Sequence, residues 1–252
     1  MSEILHKLNV NRIIMISMSL TIALGLKYHY SHSRAEDLDW MLAPASYLVQ
    51  KISGMEFDKV DGTGYADKKT GITIAPSCSG INFMIIVFCL SAYMALKSVP
   101  NISSVFMRIL FSIIVSYVYT LMVNTFRILL SIHSFKTGLF RIWFSWKTIH
   151  LLEGVVIYFA FLLIYYSLLK RLMGGESGKH PSGVFRQIRE YFPPMIFYYS
   201  VILAVPVINH GGLPPVSGFA NYASMVLVAC PAVIALYLMF RACCYYLIYK
   251  LK

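Results

Sequence analysis

Apolar residues in this chain come in long runs rather than in alternation. The runs occupy about 13–30, 81–96, 105–132, 150–169, 191–208 and 222–240. Crossing a hydrocarbon core takes about 20 apolar residues as a helix, so the pattern predicts transmembrane helices. The polar stretch 31–71 separates the first two runs and carries Glu36, Asp37, Asp39, Glu56, Asp58, Asp61 and Asp67. Within it, 38–52 is moderately apolar and holds Trp40 and Tyr47, which predicts an interfacial or re-entrant helix. Gly62, Gly64 and Gly71 predict turns, with a short hairpin, before the run that begins at Ile81. The expected fold is an all-α polytopic membrane bundle of about six transmembrane helices. It forms a single membrane-embedded domain over 1–252, with no internal repeat and no soluble domain.

Composition supports the same reading. Of 252 residues, 58% are hydrophobic and only 13% charged, against about 25% in soluble domains. Mean hydropathy is +0.66. The net charge of +11 has no compact basic domain through which to engage nucleic acid, so it is read as topology-setting charge in short loops. Lys170, Arg171, Lys179, Arg186 and Arg189 follow the fourth run, and Arg241, Lys250 and Lys252 end the chain. These place both termini in the cytoplasm, against an opposing bias from Lys136, Arg141 and Lys147. Lys27 then falls at the outer side. The first run lacks a following small-residue cleavage site and is expected to remain as a span. Trp143 and Trp146 suit an aromatic belt between the third and fourth runs.

Candidate chemistry gathers at the ends of the runs. The stretch Pro76-Ser77-Cys78-Ser79-Gly80-Ile81-Asn82 is a small polar turn that feeds directly into the second run. Pro76 suits the start of a helix, and Ser77 or Ser79 is the expected cap. Cys78 then lies near a positive helix end, where thiolates are stabilised. Its other reading is a small packing cysteine, as for Cys89 and Cys230 inside apolar runs. No pair among the five cysteines has zinc-site or disulfide-framework spacing. Arg127, in Asn124-Thr125-Phe126-Arg127, either snorkels from the last turns of the third run or donates to an oxyanion or substrate carboxylate. His150 opens the fourth run as an interfacial histidine or as a base. Glu153, one turn on, either orients it or bonds a neighbouring helix. Asn82 and Asn124 are interhelical polar contacts or supports for the cysteine turn and Arg127. On this topology Cys78, Arg127 and His150 all reach the outer face.

Taken together, Pro-Ser-Cys-Ser-Gly, Asn124-x-x-Arg127-Ile128 and His150-x-x-x-Gly154 resemble the exosortase/archaeosortase family. The upstream run Trp40-x-Leu42-x-Pro44, with Gly64-Tyr65 and Ile74-Ala75-Pro76, looks most like the exosortase K type. The resemblance covers roughly 40–165, and Asn82 departs from it, since many members carry another polar or basic residue there. It implies a membrane cysteine protease and transpeptidase in a bacterial cytoplasmic membrane, with its site facing outward. Its partners would be exported proteins ending in a sorting motif, one membrane span and a basic tail, together with an envelope acceptor. Cys78 would be the nucleophile, His150 the general base and acid, and Arg127 the oxyanion or substrate donor. Ser79, Gly80, Asn82, Asn124 and Glu153 would support them, with no metal or organic cofactor. The rival readings are a small transporter, with Arg127 and His150 lining a polar path, and an assembly subunit with an inert cysteine.

Overall fold

The computed structural model describes residues 2–96, 102–138, 145–173, 189–204, 207 and 219–250. The chain is mostly helical. In order it forms α1 (Ser2–His32), α2 (Asp39–Ser53), strands β1 (Asp58–Val60), β2 (Gly64–Ala66) and β3 (Thr73–Ile74), then α3 (Ile81–Ala95) and α4 (Ile102–Thr137). After these come α5 (Trp146–Leu172), α6 (Phe192–Tyr199) continued as a wider π turn over Ser200–Ala204, and α7 (Phe219–Lys250). Among the described residues five helices are long and apolar enough to cross a membrane, the makeup of a multi-pass membrane protein. The fifth expected span is shorter than drawn from the sequence. Only Phe192–Ala204 is helical there among the described residues, and about 20 Å does not cross a hydrocarbon core. Trp143 and the basic loop residues Lys179 and Arg186 lie outside the described residues.

Two compact units divide the chain, Met1–Leu139 and Phe140–Lys252. In the first, α3 is the core. Every turn of it is apolar on all sides, so it is stable only with neighbours around it. It packs against both α1 and α4, and twelve of its fifteen residues are buried, from Ile81 to Ala95. The flanking helices show the reverse of a soluble pattern. On α4, Ser112, Ser116, Thr120, Asn124, Arg127, Ser131 and Ser134 recur every three or four positions and are all buried. The opposite face exposes Met107, Phe111, Ile114, Val118, Met122 and Phe126. Small and polar residues inside, with large apolar ones outside, suit a helix whose solvent is lipid.

The stretch 38–52 does form a helix, α2. Its buried stripe of Leu38, Met41, Leu42, Ala45 and Val49 packs on α4. Pro44 lies inside this helix and has no N–H for the carbonyl of Trp40 one turn back. That carbonyl accepts instead from the Tyr117 hydroxyl of α4, at 3.1 Å, with the two rings stacked 6.0 Å apart. Tyr117→Phe should therefore lower stability by about 1 kcal/mol. The check is the thermal midpoint of purified protein, and an unchanged midpoint would mean water serves the carbonyl equally well.

The expected hairpin is a three-stranded antiparallel sheet, with Lys59 opposite Tyr65 and Tyr65 opposite Ile74. It is a small β addition to the all-α expectation. Asp39 anchors it to α2, accepting from Lys59 Nζ at 2.6 Å and from the Tyr65 hydroxyl at 2.8 Å. The Lys59 hydrogen bond holds the Asp39 carboxyl below its usual range, against a smaller opposing effect of burial. Asp67 closes the turn into β3 by accepting from the Thr70 hydroxyl and the Lys69 and Thr70 amides.

In the second unit α5 packs on α7 and on α6. Tyr191 is central, edge-on to both Tyr166 and Tyr237, and its hydroxyl accepts from Arg241 at 3.0 Å. Ser167 and Tyr237 share a hydroxyl bond of 2.8 Å, and Lys170 pairs with Glu190. These contacts tie α5 to α7 at the end carrying the basic residues.

Candidate functional site

Positioning of the cysteine turn begins in the sheet. Gly64 has φ +117°, and a Cβ built there would stand 2.4 Å from the Ile74 carbonyl oxygen. Only glycine lets β3 lie this close, and β3 runs straight into Ala75-Pro76-Ser77-Cys78. Gly64→Ala should push β3 away, at a cost of about 1–3 kcal/mol. Hydrogen exchange across 73–79 reads this directly, and unchanged protection there would mean that the sheet does not position the turn.

Residues Pro76–Cys78 form a single tight helical turn of their own, with the Cys78 amide donating to Ala75 O at 2.7 Å and the Ser79 amide to Pro76 O at 3.1 Å. Neither Ser77 nor Ser79 caps α3, contrary to the sequence expectation. The cap is Gly80, at φ +76°, with no side-chain hydrogen bond. A serine cap needs extended backbone to swing its oxygen over the first amides. Ser79 is instead helical and Gly80 left-handed. That right-then-left pair turns successive amide N–H groups toward one point, a concave anion cradle. The Ser79 hydroxyl, wholly buried, has no hydrogen-bond partner among the described residues. A Cβ at Gly80 would press on Asn124 Cγ at 3.1 Å and Thr120 Cγ2 at 3.2 Å, so glycine also lets α3 start against α4.

Asn124 connects the parts. Its Nδ2 donates to the Cys78 carbonyl at 2.7 Å, and its Oδ1 accepts from Arg127 Nη1 at a long 3.5 Å. Of the two readings open for Asn124, supporting the turn and supporting Arg127, the geometry contains both. Arg127 is 5% exposed and lies about 15 Å before α4 ends at Thr137. It is turned into the protein rather than reaching out from a last turn, because α4 runs beyond the expected end at 132. Cys78 is buried, at 8% exposure.

His150 and Glu153 belong to the second unit. Helix α5 begins at Trp146, not at His150, because Ser145 takes extended backbone and its hydroxyl accepts from the Thr148 amide. His150 is therefore in the second turn, half-buried, and Glu153 follows one turn on, also half-buried.

A participant that the sequence reading left among topology charges is Lys27 on α1. Its Nζ donates to Asn82 Oδ1 at 2.7 Å, across the α1–α3 contact. Asn82 sits in the first turn of α3, so α1 delivers a cation beside the cysteine turn. Cys78, Cys89, Cys230 and Cys243 form no disulfide. Among the described residues no three His, Cys, Asp or Glu side chains gather as a metal site would require. No family model, curated protein or solved structure matches the chain.

Proposed function

We propose that this chain is a membrane cysteine protease and transpeptidase that cleaves the C-terminal sorting signal of exported proteins through an acyl-enzyme on Cys78. The observation that carries the proposal is the fixed carbonyl of Cys78, tied by Asn124 to a buried arginine and followed by the amide cradle at Ser79-Gly80. A merely structural cysteine needs neither a buried cation nor an anion cradle next to it. The resemblance to exosortases assigns the same residues to catalysis.

The chemistry proceeds in two halves. The Cys78 sulfur bonds to the scissile carbonyl carbon, and the negative charge gathered on oxygen is met by donors preorganised for it. Arg127 and the amides around Gly80 are those donors. As the oxyanion collapses, the peptide C–N bond breaks, and the departing amine takes a proton, the role that the resemblance gives to His150. An acceptor amine or water then attacks the thioester and returns the thiol. The chain crosses a bacterial cytoplasmic membrane about six times with both termini inside, and the cysteine turn faces outward.

Co-expression with a reporter ending in a candidate motif, a span and a basic tail tests this reading. Mass spectrometry of the reporter should find a new C-terminus or a covalent adduct that depends on this protein. An intact reporter across a broad panel of motifs would favour the transport or assembly readings.

A further inference from the structure

Two cations flank the cysteine turn, and each is held by an asparagine. Arg127 comes from α4 through Asn124 and is buried; Lys27 comes from α1 through Asn82 and is only half-buried. An ammonium has three donors. Lys27 gives one to Asn82 Oδ1, and its Nζ also lies 5.5 Å from the centre of the Tyr30 ring. Among the described residues no carboxylate pairs with it. A lysine inside an apolar span is costly without a counter-ion. Here the nearest secondary structure makes matters worse, since the N-terminal end of α3 carries positive potential of its own. Cation and helix end together ask for an anion, and the half-buried ammonium leaves room for one to arrive from outside.

We infer that Lys27 and Asn82 form a carboxylate-reading subsite on the α1 side of the cysteine turn, which takes an acidic group of the polypeptide processed at Cys78. Asn82 positions the ammonium, and Lys27 determines specificity; neither reacts. The inference rests on the reading of Cys78 as the reacting group and extends it to the substrate. It also accounts for Asn82, where the chain departs from the family pattern: an asparagine there receives the cation that α1 brings.

The test needs no knowledge of the substrate. Purified full-length protein in neutral detergent micelles is alkylated with iodoacetate or with its uncharged analogue iodoacetamide, and the Cys78 peptide is quantified by mass spectrometry. The ratio of the two rates, normalised to that of free cysteine, should favour iodoacetate about fivefold at low salt. It should fall toward one as ionic strength rises past about 0.5 M. Lys27→Gln should abolish the preference, whereas Lys27→Arg should retain most of it. The salt titration on unmodified protein keeps the test decisive if a variant folds poorly. A ratio near one in the unmodified protein, or one that Lys27→Gln leaves unaltered, overturns the inference. A preference removed by adding anionic phospholipid to the micelles assigns the ammonium to lipid headgroups and overturns it as well. The absolute iodoacetamide rate reports separately on Cys78: ordinary slow labelling counts against the nucleophile, not against the carboxylate subsite.

Discussion

Cys78→Ala should reduce processing of a sorting-signal reporter to the level seen without the protein. Removing a covalent nucleophile from a preorganised hydrolase costs on the order of 10⁶ in turnover, which takes the product below detection. Cys78→Ser should lose nearly as much, because a hydroxyl at its ordinary pKa is a far weaker nucleophile and the site supplies a thiol's geometry. Folding should survive both changes. The turn is held by the Ala75 and Pro76 carbonyls and by Asn124 on the backbone carbonyl of Cys78, none of which involves the sulfur. Cys89→Ala and Cys230→Ala serve as controls. Cys89 lies in the middle of α3 and Cys230 is fully buried within α7, and both thiols are surrounded by apolar helix. Full activity in Cys78→Ala, with protein levels matched, would end the covalent mechanism at this residue.

How much of this was legible in the sequence depends on the distance over which the controlling physics acts. The membrane helices follow from local hydropathy and length, and α3 and the core of α7 lie close to where the runs place them. Helix ends were less legible. Hydropathy fades at Ile132, yet hydrogen bonding carries α4 on to Thr137, and the Ser145 cap starts α5 four residues before His150. The wrong cap on α3 has a specific cause. Serine is the commoner cap, but the chain must turn sharply against Thr120 and Asn124, and only the left-handed glycine allows that approach. The buried stripe from Ser112 to Ser134 was present in the sequence as polar residues spaced three and four apart, and a period count along the third run would have found it. Lys27 was not legible. Near a helix end a lysine is ordinarily a topology charge, and its partner Asn82 is 55 positions away, on a different helix.

Arg127→Lys is the second large effect, an expected loss of about 10²–10³ in turnover with the protein still folded. Lysine keeps the positive charge, so the cost of a missing charge is not what is measured. What it lacks is the planar fork with which one guanidinium serves two acceptors at once. Arg127 has that task here: one branch leans on Asn124 Oδ1, and through Asn124 Nδ2 it aligns the Cys78 carbonyl. Asn124→Ala separates the two contributions. It leaves Arg127 in place but strips the buried Cys78 carbonyl of its donor, which costs about 1–3 kcal/mol and loosens the turn. If Arg127 acts on the oxyanion, Arg127→Lys lowers turnover of the reporter while the pH profile of Cys78 alkylation stays where it was. If it acts only by holding the turn, Arg127→Lys and Asn124→Ala shift that profile alike, and the double variant is no worse than either alone. Non-additivity of this kind between residues in one hydrogen-bonded chain is what a double-mutant cycle detects. The oxyanion role predicts the opposite: Asn124→Ala moves the profile, Arg127→Lys does not, and their effects on turnover multiply.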